Sequence, residues 1–184
     1  SMTPSYAVSI YFLACNRKGM DIMCVVAHPD DEVLGAGGTL ARHAADGADV
    51  GVVFLSDGVT SRYDTIDSQA RAETEQRRSR AERACEKLGA EPIAFHEFPD
   101  NQFDTVPLLD LVQTVESEIQ TVEPELVYTH HYGDLNVDHE RTCRAVMTAT
   151  RPLPETSIER VLAFETLSAT EWSVPNMGTE FEPT

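Results

Sequence analysis

Apolar residues along this chain fall into short, dense runs separated by longer stretches in which they recur every three or four positions. The runs are 22–27 (IMCVVA), 49–56 (DVGVVFLS), 92–98 (PIAFHEF), 125–130 (ELVYTH) and 160–166 (RVLAFET). Each is short, rich in Val, Ile or Phe and bounded by Gly, Pro or Asp, the signature of strands buried on both faces. The intervening stretches, about 34–46, 68–88, 107–122 and 138–149, carry helical periodicity, and Gly47, Gly89 and Pro124 are suitable helix stops. Strand–helix alternation predicts right-handed crossovers and an α/β fold, a doubly wound, mostly parallel sheet with helices on both faces.

This pattern sets where the polar clusters lie. HPDDE (His28–Glu32) follows the first strand, Ser56-Asp57-Gly58 the second, FPDNQFD the third and THHYGDLNVDH the fourth. In an open parallel sheet all four positions fall at the carboxyl edge, where ligands bind at the point of topological reversal. The usual doubly wound order makes the first and fourth strands neighbours, so residues 28–32 and 130–139 should meet in space.

Two histidines and an aspartate brought together make a facial N/N/O set for a divalent ion that keeps a position open for water. The histidines are His28 and His139, and the carboxylate is Asp30 or Asp31. The other aspartate is then available to take a proton from water acidified by the ion. Read alone, HPDDE also admits a plainer reading, an acidic turn in which Asp caps the next helix and Pro29 stiffens the chain. Asn136 or Asp138 could likewise cap the helix beginning near His139, a role compatible with metal binding one residue on. His43 and His96 sit in no polar cluster and read as structural, and Glu32 as a brace for the turn. LGAGGTLA lacks the third glycine of a dinucleotide-binding loop, so its glycines read as sites of close packing by the first helix.

The 184 residues suffice for one well-buried domain. The net charge of −17 argues against a nucleic-acid partner or an anionic-membrane surface. No stretch approaches the roughly 18 apolar residues of a membrane span. Four cysteines (Cys15, Cys24, Cys85, Cys143) without a C-x-x-C pair make neither a disulfide framework nor a thiolate zinc site, so a reducing, cytoplasmic setting is expected. YAVSIYFLAC alternates Tyr6, Val8, Ile10 and Phe12 on one face and is expected to add a strand or arm, within residues 1–19, to the core or to a second copy of the chain in a homo-oligomer.

Ala27-His28-Pro29-Asp30-Asp31-Glu32 resembles the A-H-P-D-D-E mark of the PIG-L/LmbE family of zinc-dependent N-acetylglucosamine-type deacetylases. The resemblance runs from about Met20 to Trp172 and is closest to bacterial members with HxGDLNxDH, PDNxFD and FExxSxTEW segments, here residues 131–139, 99–104 and 164–172. Such members are often linked with surface polysaccharide or nucleotide-sugar metabolism. The resemblance implies a Rossmann-like fold, Zn2+ or another divalent metal on His28, Asp31 and His139, and Asp30 as general base. It implies hydrolysis of the acetamido group of an N-acetyl amino sugar, or of its nucleotide- or lipid-linked conjugate, to amine and acetate. Two departures stand out. Asn136 occupies the place where many members carry an acid or oxyanion histidine, which leaves His131, Asn136 and Asp138 as further catalytic candidates, with His130 beside them. The domain, residues 20–184, is also expected to be shortened at its C-terminus relative to the family. Two other expectations remain open: a sugar- or nucleotide-binding module that has lost turnover, and a hydrolase acting on another amide or ester.

Overall fold

The computed structural model describes residues 20–152, 157–167, 169–172 and 180–183. Among these, five strands form one sheet in the order β3-β2-β1-β4-β5. They are β1 (Ile22–Val26), β2 (Val50–Ser56), β3 (Glu91–Phe98), β4 (Leu126–His130) and β5 (Arg160–Phe164), and every pairing is parallel. The helices are α1 (Asp31–Ala45), α2 (Ser68–Leu88), α3 (Leu108–Val122) and α4 (Val137–Ala149). The order confirms the doubly wound expectation, and β1 and β4 are neighbours in register from Ile22 against Leu126. The arm expected from YAVSIYFLAC lies outside the described residues.

The period-two alternation of side chains divides the core into two layers. Met23, Val25, Ala27, Val53, Leu55 and Val127 pack with α3 and α4 on one face. Ile22, Cys24, Val26, Val52 and Phe54 pack with α1 and α2 on the other. Every residue of β1 and β4 is buried, whereas β3 and β5, at the edges, are largely half-buried. The buried central strands give the residues that follow β1 and β4 a rigid base.

α1 begins at Asp31, three residues earlier than the apolar periodicity predicts, because polar contacts rather than apolar ones start it. Asp30 occupies the N-cap position but does not cap the helix with its side chain. Instead the Glu32 carboxylate accepts the Asp30 N–H at 2.9 Å and the Asp31 carboxylate accepts the His28 N–H at 2.9 Å. Asp30 is held at φ 121°, a conformation rare for a residue with a side chain and typical of sites that store strain. Of the α1 glycines, only Gly35 behaves as the packing reading expects: a Cβ there would strike the Phe164 ring of β5, whereas Gly37 has ordinary space and Gly38 is open. β5 ends at Phe164 rather than at 166, because the chain turns where Thr166 O accepts the Ala169 and Thr170 N–H groups.

Candidate metal centre

The carboxyl ends of β1 and β4 and the start of α4 bring His28, Asp31, His130, Asp134, Asp138 and His139 into one buried cluster. Asp31 is at its middle. Its Oδ2 is 3.4 Å from His28 Nδ1 and its Oδ1 is 3.3 Å from His139 Nε2. The opposite ring nitrogens face other carboxylates: His28 Nε2 is 2.9 Å from Asp138 Oδ2, and His139 Nδ1 is 3.1 Å from Asp134 Oδ2, an ion-pair distance with an imperfect hydrogen-bond angle. Carboxylates behind imidazoles in this way set the ring orientation of metal-binding histidines.

Three residues, His28, Asp31 and His139, offer ligand atoms that all lie within 4.8 Å of one another. A tetrahedral zinc ion with bonds of ~2.0–2.1 Å separates its ligand atoms by about 3.3–3.4 Å, and the two spacings around Asp31 match. The donor set, two imidazoles and a carboxylate with outer carboxylates in place, fits a divalent ion. Two further groups, His130–Asp134–His139 and His28–Asp100–Asp138, meet the same distance limit. In each, a carboxylate already occupied by backbone or hydroxyl donors is the partner of a histidine that the first group also uses.

The acidic surroundings dominate protonation in the metal-free cluster. Burial alone would lower His28, but hydrogen bonds to Asp138 and Asp31 and their charges outweigh it and raise the imidazole to about 10. Burial likewise opposes, and Asp134 and Asp31 overcome, to raise His139 to about 9. Burial favours the neutral acid at Asp31, yet the contacts with the His139 and His28 rings hold it well below the usual carboxylate range. His130 is pushed down, by burial and then by His139. Its Nε2 accepts the Ala27 N–H at 3.0 Å, so that atom carries no proton and its 3.4 Å approach to Asp31 Oδ2 is not a hydrogen bond. The His130 ring stacks on His139 with centroids 3.9 Å apart.

Asp30 stands apart from this buried set. Its carboxylate is half-exposed and accepts a hydrogen bond from Arg77 Nη2 at 2.8 Å. Burial raises its pKa, partly countered by Arg77. Gly58, at φ 65°, lies against His28 and Arg77: a Cβ there would come 3.0 Å from His28 Cβ and 3.3 Å from Arg77 Nε. Asp57 Oδ1 accepts the Val59 and Thr60 N–H groups and so shapes this turn.

The structure thus gathers His28, Asp31, His139 and Asp138, with Asp30 one residue away. Asp138 accepts from the Asn101 and Phe103 N–H groups as well as facing His28 Nε2, so it acts as an anchor of the cluster. Asn136 caps α4, its Oδ1 accepting the Asp138 N–H at 2.9 Å. His131 is not in the cluster; its ring packs against Tyr132 and Phe181, and the adjacent His130 takes the inner place. His43 and His96 are structural as read, paired with Tyr128 and Glu118. Sequence reasoning did not single out Asp134, Asp100 or Arg77. Asp134 and Asp100 lie inside the quoted GDLNVDH and PDNQFD segments, but nothing in the spacing of α2 marks Arg77.

Beside the cluster lies an open, shallow groove lined by Asn101, Leu135, Asn136, Val137, Ala169 and Trp172. No described helix is long and apolar enough to cross a membrane.

Fold and site together define a doubly wound α/β domain with a His/Asp centre at the carboxyl edge of its sheet. Residues 23–150 match the PIG-L family, described as GlcNAc-PI de-N-acetylase, and the chain belongs to that family of deacetylases. It is similar to YaiS of Escherichia coli K12, named as an uncharacterized deacetylase, with 31% identity over 160 residues that cover 84% of this chain and 77% of YaiS. A segment of 37 residues is 66% identical to the 1D-myo-inositol 2-acetamido-2-deoxy-alpha-D-glucopyranoside deacetylase of Rhodococcus opacus, covering 20% of this chain and 13% of that enzyme. Among solved structures, the conserved protein TT1542 of Thermus thermophilus has a TM-score of 0.65 and 26% identity, covering 79% of this chain and 66% of its own. GalB, the 4-carboxy-2-hydroxymuconate hydratase of Pseudomonas putida KT2440, has a TM-score of 0.57 and 27% identity, covering 78% of this chain and 63% of its own.

Proposed function

We propose that the domain is a zinc-dependent deacetylase that hydrolyses the acetamido group of an N-acetylated amino sugar or its conjugate, with His28, Asp31 and His139 holding the ion and Asp30 moving the proton. The observation that carries this reading is Asp31 set between two imidazoles whose far nitrogens face Asp138 and Asp134. The match to the GlcNAc-PI de-N-acetylase family and the sugar named for the Rhodococcus relative support the substrate class. When bound, the ion polarises the amide carbonyl and makes water more acidic.

The chain's own groups do the rest. Asp30, half-exposed and outside the ligand set, accepts a proton from the attacking water as the water oxygen bonds to the carbonyl carbon. As the carbon–nitrogen bond breaks, the same carboxyl returns the proton to the departing nitrogen, giving the amine and acetic acid, which ionises to acetate in solution. Asn136 has no proton to transfer, and the His131 ring is turned toward Tyr132 and Phe181. Arg77 fixes the carboxylate that shuttles the proton. The free thiols of Cys24, Cys85 and Cys143 accord with a reducing compartment such as the cytoplasm.

Metal analysis of the purified protein together with acetate release from a panel of N-acetyl sugars and conjugates tests the reading. One ion per chain and acetate from at least one compound are expected; metal-loaded protein that releases acetate from none would overturn it. Likeness to the hydratase favours a second reading, addition of water to a carbon–carbon double bond. It predicts loss of ultraviolet absorbance from conjugated unsaturated carboxylates, with no acetate formed.

A further inference from the structure

Two asparagines line the groove beside the metal centre, and the hydrogen-bonding chemistry around each fixes which end of its side-chain amide is used up. Asn136 turns its Oδ1 to the Asp138 N–H at 2.9 Å. A backbone N–H can only donate, so the amide oxygen must face it. Nδ2 is therefore directed away from the helix end and makes no hydrogen bond among the described residues, while Asn136 lines the groove. Asn101 is arranged the opposite way. Its Nδ2 donates to Ser61 Oγ at 3.1 Å and to Asp100 Oδ1 at 3.3 Å. A carboxylate can only accept, so the nitrogen must face Asp100 and Oδ1 is the end left over. Both residues are tethered to Asp138: the Asn101 N–H donates to Asp138 Oδ2 at 2.7 Å, and Asp138 itself faces His28. Asn101 also holds φ 54°, a left-handed conformation outside regular structure.

The groove is thus lined by one asparagine with a spare donor and one with a spare acceptor. A secondary amide presents the complement, a carbonyl that accepts and an N–H that donates. We propose that Asn136 and Asn101 read the acetamido group itself: the substrate carbonyl accepts from Asn136 Nδ2 and the substrate N–H donates to Asn101 Oδ1. Leu135, Val137, Ala169 and Trp172 complete the wall, with Trp172 68% exposed, and offer apolar contact to the acyl methyl and the C–H face of the sugar ring. An ester has the carbonyl but no N–H and leaves the Asn101 acceptor unmatched. A site built for a donor discriminates against an analogue that lacks it. The pair selects amides over esters of the same shape. This rests on the deacetylase reading for the substrate class.

Two variants separate the two halves of the pair and preserve the fold. Asn101→Gly suits φ 54° and keeps the backbone N–H to Asp138, but removes the acceptor. Asn136→Ser keeps an N-cap oxygen for α4 but removes the outward amide nitrogen. The probes are the methyl glycosides of N-acetylglucosamine and of 2-O-acetylglucose, measured by calorimetry on metal-loaded Asp30→Asn protein, so that turnover does not deplete them. The amide probe should bind about tenfold tighter than the ester, the worth of one neutral hydrogen bond. Asn101→Gly should weaken only the amide probe, erasing the preference, and Asn136→Ser should weaken both by about tenfold. Equal binding of the two probes by the parent, or equal loss of both in Asn101→Gly, would overturn the proposal. Acetate release by the chain with Asp30 intact is read separately. Amide-selective binding without release refutes the deacetylase reading alone, and release with no amide preference refutes the asparagine pair alone.

Discussion

His28 Nε2 lies 2.9 Å from Asp138 Oδ2, across 110 residues of sequence. This contact decides which His28 nitrogen faces Asp31, and Asp138 is at the same time held by the Asn101 and Phe103 N–H groups. The carboxylate joins the ends of β1 and β3 to the first turn of α4. Asp138→Ala removes the acceptor from all three at once. Metal affinity should fall about 10–100-fold, the usual effect of losing an outer partner of a metal-binding histidine. Unfolding free energy should fall by about 1–3 kcal/mol or more, because buried donors are left unmatched. Metal titration and urea denaturation of the variant check both.

Asp30 and Asp31 are neighbours in sequence but differ in surroundings, so their amides should behave differently. Asp30→Asn keeps the Glu32 contact to its backbone N–H, turns the Arg77 ion pair into a neutral contact and removes proton acceptance. Metal content should stay near that of the parent, and turnover should fall by about 10²–10⁴-fold. Asp31→Asn should lose metal and activity together. Metal analysis paired with single-turnover acetate release distinguishes the two, and the reverse pattern would interchange the roles.

Protonation of the metal-free cluster sets the sign of two pH effects. The His28 and His139 pKa values rise on folding from 6.5 to about 10 and about 9. Raised histidines contribute stability that is fully present below pH 6.5 and is lost as pH rises through 9 to 10. Chelator-treated protein should therefore lose unfolding free energy over that range, and His139→Asn should lose less. Metal uptake at neutral pH should release protons, seen as a dependence of calorimetric heat on buffer ionisation enthalpy. Buffer-independent heats would contradict the protonated state of the two rings.

Gly58 combines φ 65° with a Cβ position 3.0 Å from His28 Cβ. Gly58→Ala meets backbone strain of about 1–2 kcal/mol and a neighbour that cannot move without displacing a ring of the centre. Both the melting temperature and metal affinity should fall. Loss of stability with unchanged affinity would show that the His28 side of the loop yields freely.

Much of this protein is legible in one dimension. Buried parallel strands need continuous apolar runs, so IMCVVA and ELVYTH betray β1 and β4, and the alternation with helices leaves little choice of fold class. Because strand ends define the carboxyl edge, HPDDE and NVDH could be brought together from sequence, and the ordinary doubly wound order did the rest. What the sequence could not decide is direction. His130 and His131 are adjacent residues, but the last residue of β4 points into the cluster and the next turns to Tyr132 and Phe181. The start of α1 escaped the periodicity because side-chain carboxylates, not apolar contacts, organise it. The Arg77–Asp30 hydrogen bond spans 47 residues and the Asn101–Asp138 bond spans 37. Such contacts leave no local periodic signal, since each depends on two loops meeting after the sheet has formed. Which nitrogen faces Asp31, which carboxylate stands behind each ring and which end of each asparagine amide is left over are consequences of tertiary packing alone.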